Sequence, residues 1–173
     1  MATNWSISDA HCVHHLDCTS ISPDPDNYIQ PKFNQTQADH TLHTKIMDYQ
    51  KLAQYHIKLA TIMRDHHQFK TCLILCDWAL ASMIKALYIQ KYYSAHPPKE
   101  LTMNEILPLV HTDTDPGLEI ALFIGTMQFM SSLEDYSHEQ PLELKNIKRL
   151  VQRTEEILEE LSTRMMNNSP KLS

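Results

Sequence analysis

The sequence predicts an all-α fold, an antiparallel up-down helical bundle of four long helices plus one short helix, and three observations predict it. First, only 2 glycines occur in 173 residues, where average usage would supply about a dozen. The chain therefore lacks the φ > 0 residues that tight hairpins and phosphate-cradling loops use, which argues against a β-barrel, a Rossmann domain and a P-loop. Second, apolar residues recur at spacings of three and four along several long segments, the period of one helix face. Third, prolines fall between those segments, where they remove backbone donors and stop helices. At this length one domain is expected, and 42% apolar residues suffice for its core.

Residues 1–39 show little periodicity, and Ser22-Pro23-Asp24-Pro25-Asp26 blocks regular structure, so this segment is expected to be an irregular arm. From Leu42 the spacing changes: Leu42, Ile46, Tyr49, Ala53, His56, Ala60 and Met63 share a face, predicting a first helix over about 40–66. Phe69 to about Tyr93 is apolar nearly all round, through Leu73, Leu75, Trp78, Leu80, Met83, Ile84, Leu87 and Ile89, as a helix surrounded by others should be. His96-Pro97-Pro98 ends it. Thr102-Met103-Asn104-Glu105 has the capping-box spacing and predicts a short helix to about Val110, with Pro108 a source of distortion. Asp115-Pro116 reads as an N-cap followed by Pro at the first helical position. It opens a helix of about 20 residues on which Leu118, Leu122, Gly125, Phe129 and Leu133 form the repeating face. Pro141 opens the last helix, with Leu144, Ile147, Val151, Thr154, Leu158, Leu161 and Met165 on its apolar side, and Asn167-Asn168-Ser169-Pro170 closes it. The bundle is thus expected over 40–166, followed by a short tail over 167–173.

Fifteen Lys plus Arg against 21 Asp plus Glu gives a net charge of −6, so any contact with nucleic acid or anionic lipid has to be local. Met1–Asp9 carries neither a basic nor an apolar signal region, and the longest apolar stretch, Cys72–Ile89, is interrupted by Asp77 and Lys85. A cytoplasmic protein without a membrane span is the expectation. Cys72 and Cys76 lie four apart in an apolar helical pattern and are expected to be packed and reduced.

Several clusters carry chemically useful side chains. His11-Cys12-Val13-His14-His15-Leu16-Asp17-Cys18 groups donors suited to zinc, but a closed site would need a second segment such as His40 or His43, so no metal site is assigned. Arg64-Asp65-His66-His67 falls at a helix end and reads as a solvated turn. Asp77 and Lys85, eight residues apart on the apolar second helix, share a face and are candidates for a polar groove or partner-facing seam, or for the one exposed stripe. On the last helix Lys145, Lys148, Arg149 and Arg153 precede Glu155, Glu156, Glu159 and Glu160. Spacings of four stack like charges at Lys145, Arg149 and Arg153, which calls for solvent, an acidic partner or a nucleic-acid backbone.

Gln68-Phe69-Lys70-Thr71-Cys72 through Lys85-Ala86-Leu87-Tyr88, then Pro97-Pro98-Lys99 and Asn104-Glu105-Ile106-Leu107, resembles a HEPN domain, the small helical bundle of prokaryotic nucleotide-binding and RNA-cutting systems. The order of features matches too: a polar turn, a helix closing on a Lys-Ala-Leu-like triplet, a Pro-containing loop, a short helix and a fourth helix. The resemblance covers roughly residues 44–166. It implies pairing of two copies around the end of the fourth helix, where Phe129, Met130, Leu133 and Tyr136 supply apolar area. It also implies a nucleotide, RNA or protein partner, such as the minimal nucleotidyltransferase of toxin–antitoxin-like pairs.

Active members of that family carry an Arg followed by a His at the end of the fourth helix. Here the matching stretch is Leu133-Glu134-Asp135-Tyr136-Ser137-His138, with Asp135 in the arginine's place. Carboxylates around His138 repel the phosphate whose developing charge cleavage must stabilise. The expectation is a non-catalytic binding and assembly module, with Asp135, Tyr136, His138, Asp77 and Lys85 as binding candidates and no cofactor. The competing expectation is an atypical metal-independent ribonuclease using His138.

Overall fold

The computed structural model describes residues 35–112, 117–133 and 143–167. They form five helices, with no strand among the described residues: α1 Gln35–Asp65, α2 Phe69–Tyr92, α3 Met103–Val110, α4 Leu118–Ser132 and α5 Leu144–Asn167.

Helix α1 starts at Gln35, ahead of the expected start near residue 40. Its first residues, Gln-Thr-Gln-Ala-Asp, contain neither Gly nor Pro and can extend a helix, but being polar they give an apolar-spacing argument nothing to detect. The turn that ends α1 is tightly bonded: His66 N–H donates to the Ile62 carbonyl (3.1 Å), His67 N–H to Arg64 (3.0 Å) and Gln68 N–H to Met63 (2.8 Å). His67 takes a left-handed conformation at φ 58° to reverse the chain. Helix α2 returns along α1, and near the far end Lys45 Nζ donates to the Ala95 carbonyl (2.9 Å).

Helix α2 is the centre of the protein and packs against all four others. Twelve of its residues are buried, among them Leu73, Leu80, Met83, Ile84 and Ile89. Trp78 departs from the expectation of an apolar helix hidden on all sides, being 53% exposed. Four neighbours leave one stripe of α2 uncovered, and Trp78 stands on it. By length and composition α2 could cross a membrane, but 67% of its most apolar window is buried inside the protein, as for a core helix.

Helix α5 follows its sequence pattern closely: Ile147, Val151, Thr154, Leu158, Leu161 and Met165 are buried, and Leu144 is half-buried. The one hydroxyl in that row is satisfied, since Thr154 Oγ1 donates to the Leu150 carbonyl (2.8 Å). This face packs on α1 and α2, while α4 packs on α2 and α3.

The capping signal before α3 is realised: the Thr102 backbone N–H donates to Glu105 Oε2 (2.7 Å), as the box requires. Pro108 lies inside α3 without breaking it. The freed carbonyls at its end are met by cations from other helices, with Lys91 Nζ on Pro108 O (2.6 Å) and Arg164 Nη1 on Val110 O (2.7 Å).

Helix α4 is shorter than the expected 20 residues, at 15, and its N-cap is Gly117 rather than Asp115. Asp115 and Pro116 lie outside the described residues. Gly117 sits at φ +64°, and a Cβ there would stand 2.4 Å from the Val110 carbonyl oxygen, so only glycine lets the chain pass the end of α3.

Candidate functional site

Of the five candidate site residues, Asp135, Tyr136 and His138 lie outside the described residues. Asp77 and Lys85 are both half-buried on α2. Eight residues of helix separate them by about 12 Å, and they form no ion pair with each other.

Asp77 holds α4. Ser131 Oγ donates to Asp77 Oδ2 (2.8 Å), and about two turns earlier Lys70 Nζ donates to the Leu133 carbonyl (2.7 Å). The lysine meets the negative end of the α4 dipole. Burial pushes the Asp77 carboxyl above its ordinary range, and the Ser131 hydroxyl partly opposes that rise. These two contacts tie the end of α4 to the N-terminal part of α2.

The outward face of α4 corrects the sequence reading. Leu118, Leu122 and Phe129, the repeating apolar face of the sequence, are 52%, 57% and 65% exposed, and the buried row is instead Ile120, Ala121, Ile124 and Met127. Packing of α4 on α2 and α3 selects the Ile120–Ile124–Met127 row for the core, and on the exposed row the side chain of Met103 reaches over Gly125, where a Cβ would meet its sulfur at 3.2 Å. Of the residues expected at an interface, Phe129 is exposed and Met130 and Leu133 are half-buried.

The α5 surface is the second feature. Lys145, Lys148, Arg149, Gln152, Glu155 and Glu159 are all exposed. Arg153, expected to stack with the other cations, instead reaches Glu119 of α4 (2.7 Å) and Glu156 (3.3 Å). Beside the acidic half of α5 runs a groove of about 830 Å³ against α1, with Ile57 and Leu158 in its floor and Lys58, Ile62, Glu159 and Met166 along its sides.

Arg64 Nε pairs with Asp65 Oδ1 (2.9 Å) in the α1–α2 turn, and both neighbouring histidines are exposed, as a solvated turn should be. Cys72 and Cys76 are free and fully buried, as expected from their spacing. The Cys72 thiol is drawn down by its bond with Cys76 and the nearby Arg64, while the same pairing and burial drive Cys76 up. His40 and His43 are exposed on α1, the His11–Cys18 segment lies outside the described residues, and no group of three or more metal-ligating side chains occurs among the described residues.

Spacing alone did not reveal the aromatic group on the α1–α2 face, where the His56 ring lies 5.6 Å from that of Trp78 and 6.0 Å from that of Tyr55. Compared with protein-family models, with curated proteins and with solved structures, the chain matches none of them.

Proposed function

We propose that this protein is a non-catalytic binding and assembly module, a HEPN-like antiparallel bundle that pairs with a second copy through the outward face of α4. The order of elements supports the bundle reading: a long helix, a polar turn, an apolar helix, a proline loop, a short capped helix and two further helices. The observation that carries the pairing is the row of Leu118, Leu122 and Phe129, three large apolar side chains each more than half exposed on one helix face.

Covering these side chains removes on the order of 300 Å² per copy from water, about 15 kcal/mol gross for the pair at 25 cal/mol per Å². Association costs roughly 4–15 kcal/mol in lost freedom, so the pair forms reversibly rather than as an obligate dimer. The Asp77–Ser131 and Lys70–Leu133 bonds hold α4 in place for this contact.

Sedimentation at tens of micromolar tests the reading. The parent chain should move above its monomer mass of 20.1 kDa as concentration rises, and Leu122→Gln/Phe129→Gln should hold it at the monomer mass. A parent that remains monomeric across that range refutes the α4 contact. Cleavage of RNA without added metal, lost on His138→Ala, would refute the non-catalytic assignment.

A further inference from the structure

The charges of α5 are antisymmetric about Gln152. At three, four and seven residues before it stand Arg149, Lys148 and Lys145, and at three, four and seven residues after it stand Glu155, Glu156 and Glu159. Offsets of three, four and seven are the offsets that share a helix face. All six side chains are therefore presented with Gln152, and all seven residues are exposed.

From this we infer that α5 is a second self-association surface, on which the α5 helices of two copies lie antiparallel about a two-fold axis beside Gln152. In that register Lys145 faces the partner's Glu159, Lys148 the partner's Glu156 and Arg149 the partner's Glu155, and symmetry repeats each pair. A nucleic-acid backbone drawn to the basic half meets three carboxylates on the same face. An acidic protein meets the same obstacle. A second copy carries the complementary pattern by construction, which is what an isologous contact requires.

Glu156 also accepts from Gln152 Nε2 (3.1 Å) and Arg153 Nη1 (3.3 Å) of its own helix, but local helix energetics do not account for the rest of the arrangement. Lys145 lies in the first turn of α5, where the macrodipole favours acid, and that turn contains no acidic residue. The groove beside the acidic half adds apolar rim, since Ile62 is 47% and Met166 65% exposed. The charged stripe from Lys145 to Glu159 is about 21 Å long and belongs at the small end of protein interfaces. Association is therefore weak and, being carried by exposed ion pairs, strongly weakened by salt.

The contact uses a different helix from the α4 row and is tested in the full chain carrying Leu122→Gln/Phe129→Gln, so that either reading can fail without the other. One variant makes the stripe acidic throughout, Lys145→Glu/Lys148→Glu/Arg149→Glu, and the other makes it basic, Glu155→Lys/Glu156→Lys/Glu159→Lys. The unswapped chain should self-associate at hundreds of micromolar in 50 mM salt, about tenfold or more weakly in 500 mM. Each swapped variant alone should remain monomeric, and their equimolar mixture should form a 1:1 complex at low salt. Circular dichroism reports that both keep their helix, and the acidic variant places its new carboxylates where the dipole favours them. Self-association of either variant matching that of the unswapped chain overturns the inference. So does a mixture that forms no complex.

Discussion

Replacing Gly117 by alanine should destabilise the protein by about 2–4 kcal/mol. An L-residue held in the left-handed region costs about 1–2 kcal/mol, and Gly117 sits there at φ +64°. The new Cβ would also stand 2.4 Å from the Val110 carbonyl oxygen and 2.6 Å from its carbon, both backbone atoms. They cannot rotate away as a side chain could, and Val110 O is held by Arg164 Nη1 at 2.7 Å. Forcing an extra methyl into such a contact costs about 1–3 kcal/mol, and the stiffer unfolded chain returns about 0.4–1 kcal/mol. Urea unfolding followed by circular dichroism reads the difference directly, and the thermal midpoint should fall by about 5–15 °C for a chain of this size.

Gly125→Ala is the control. It lies in the interior of α4, its nearest neighbour is the flexible Met103 sulfur at 3.2 Å, and alanine is the better helix former by about 1 kcal/mol. That variant should be neutral or slightly more stable. A loss below about 0.5 kcal/mol for Gly117→Ala, with an unchanged m-value, would refute the claim that the chain must pass the end of α3 in this conformation.

Two further outcomes follow from burial. Leu80 is 0% exposed and Trp78 is 53% exposed on the same helix; Leu80→Ala should cost about 2–5 kcal/mol and Trp78→Ala less than half as much. Equal losses in chemical denaturation would mean that the uncovered stripe of α2 has been misplaced. The Asp77 carboxyl is raised by burial above its unfolded value, so the stability associated with its protonated form is present at low pH and lost as pH rises through the folded pKa. Asp77→Asn, which keeps an acceptor for Ser131, should thus be more stable than the parent at pH 7, with the advantage vanishing near pH 3. A variant less stable than the parent at pH 7 and equal to it at pH 3 would show that the charge itself stabilises α4.

Legibility in the sequence tracked how one-sided each helix is. Helix α5 is polar on one side and apolar on the other, so spacing alone placed Ile147, Val151, Leu158 and Leu161 in the core, where they lie. Helix α4 has two apolar rows. Periodicity cannot choose between Leu118–Leu122–Phe129 and Ile120–Ile124–Met127, and the choice is made by the packing of α4 on α2 and α3, a long-range fact. Trp78 was misread for the same reason, because which stripe of an all-apolar helix stays bare depends on where its neighbours stand. The ion pair of Arg153 with Glu119 spans 34 residues and left no local signal. The antisymmetry of α5 could be counted from the sequence, but its use depends on those side chains being exposed, which the fold decides.

The cations at the end of α3 bear on the order in which the chain can complete itself. A helix of 8 residues is too short to persist alone in water, and the carbonyls that terminate this one are held by Lys91 and Arg164, 17 and 54 residues away in the sequence. The α1–α2 hairpin needs only its own three-residue turn and can form as soon as both helices have been synthesised. Helix α3 packs on α2 and α4 and has its last carbonyl held only once Arg164 has been made, so its amides should gain full hydrogen-exchange protection together with those of α5 and after those of α2. During synthesis its apolar residues Ile106 and Leu109 are made well before their helix is completed, and that interval is when they are most exposed to aggregation.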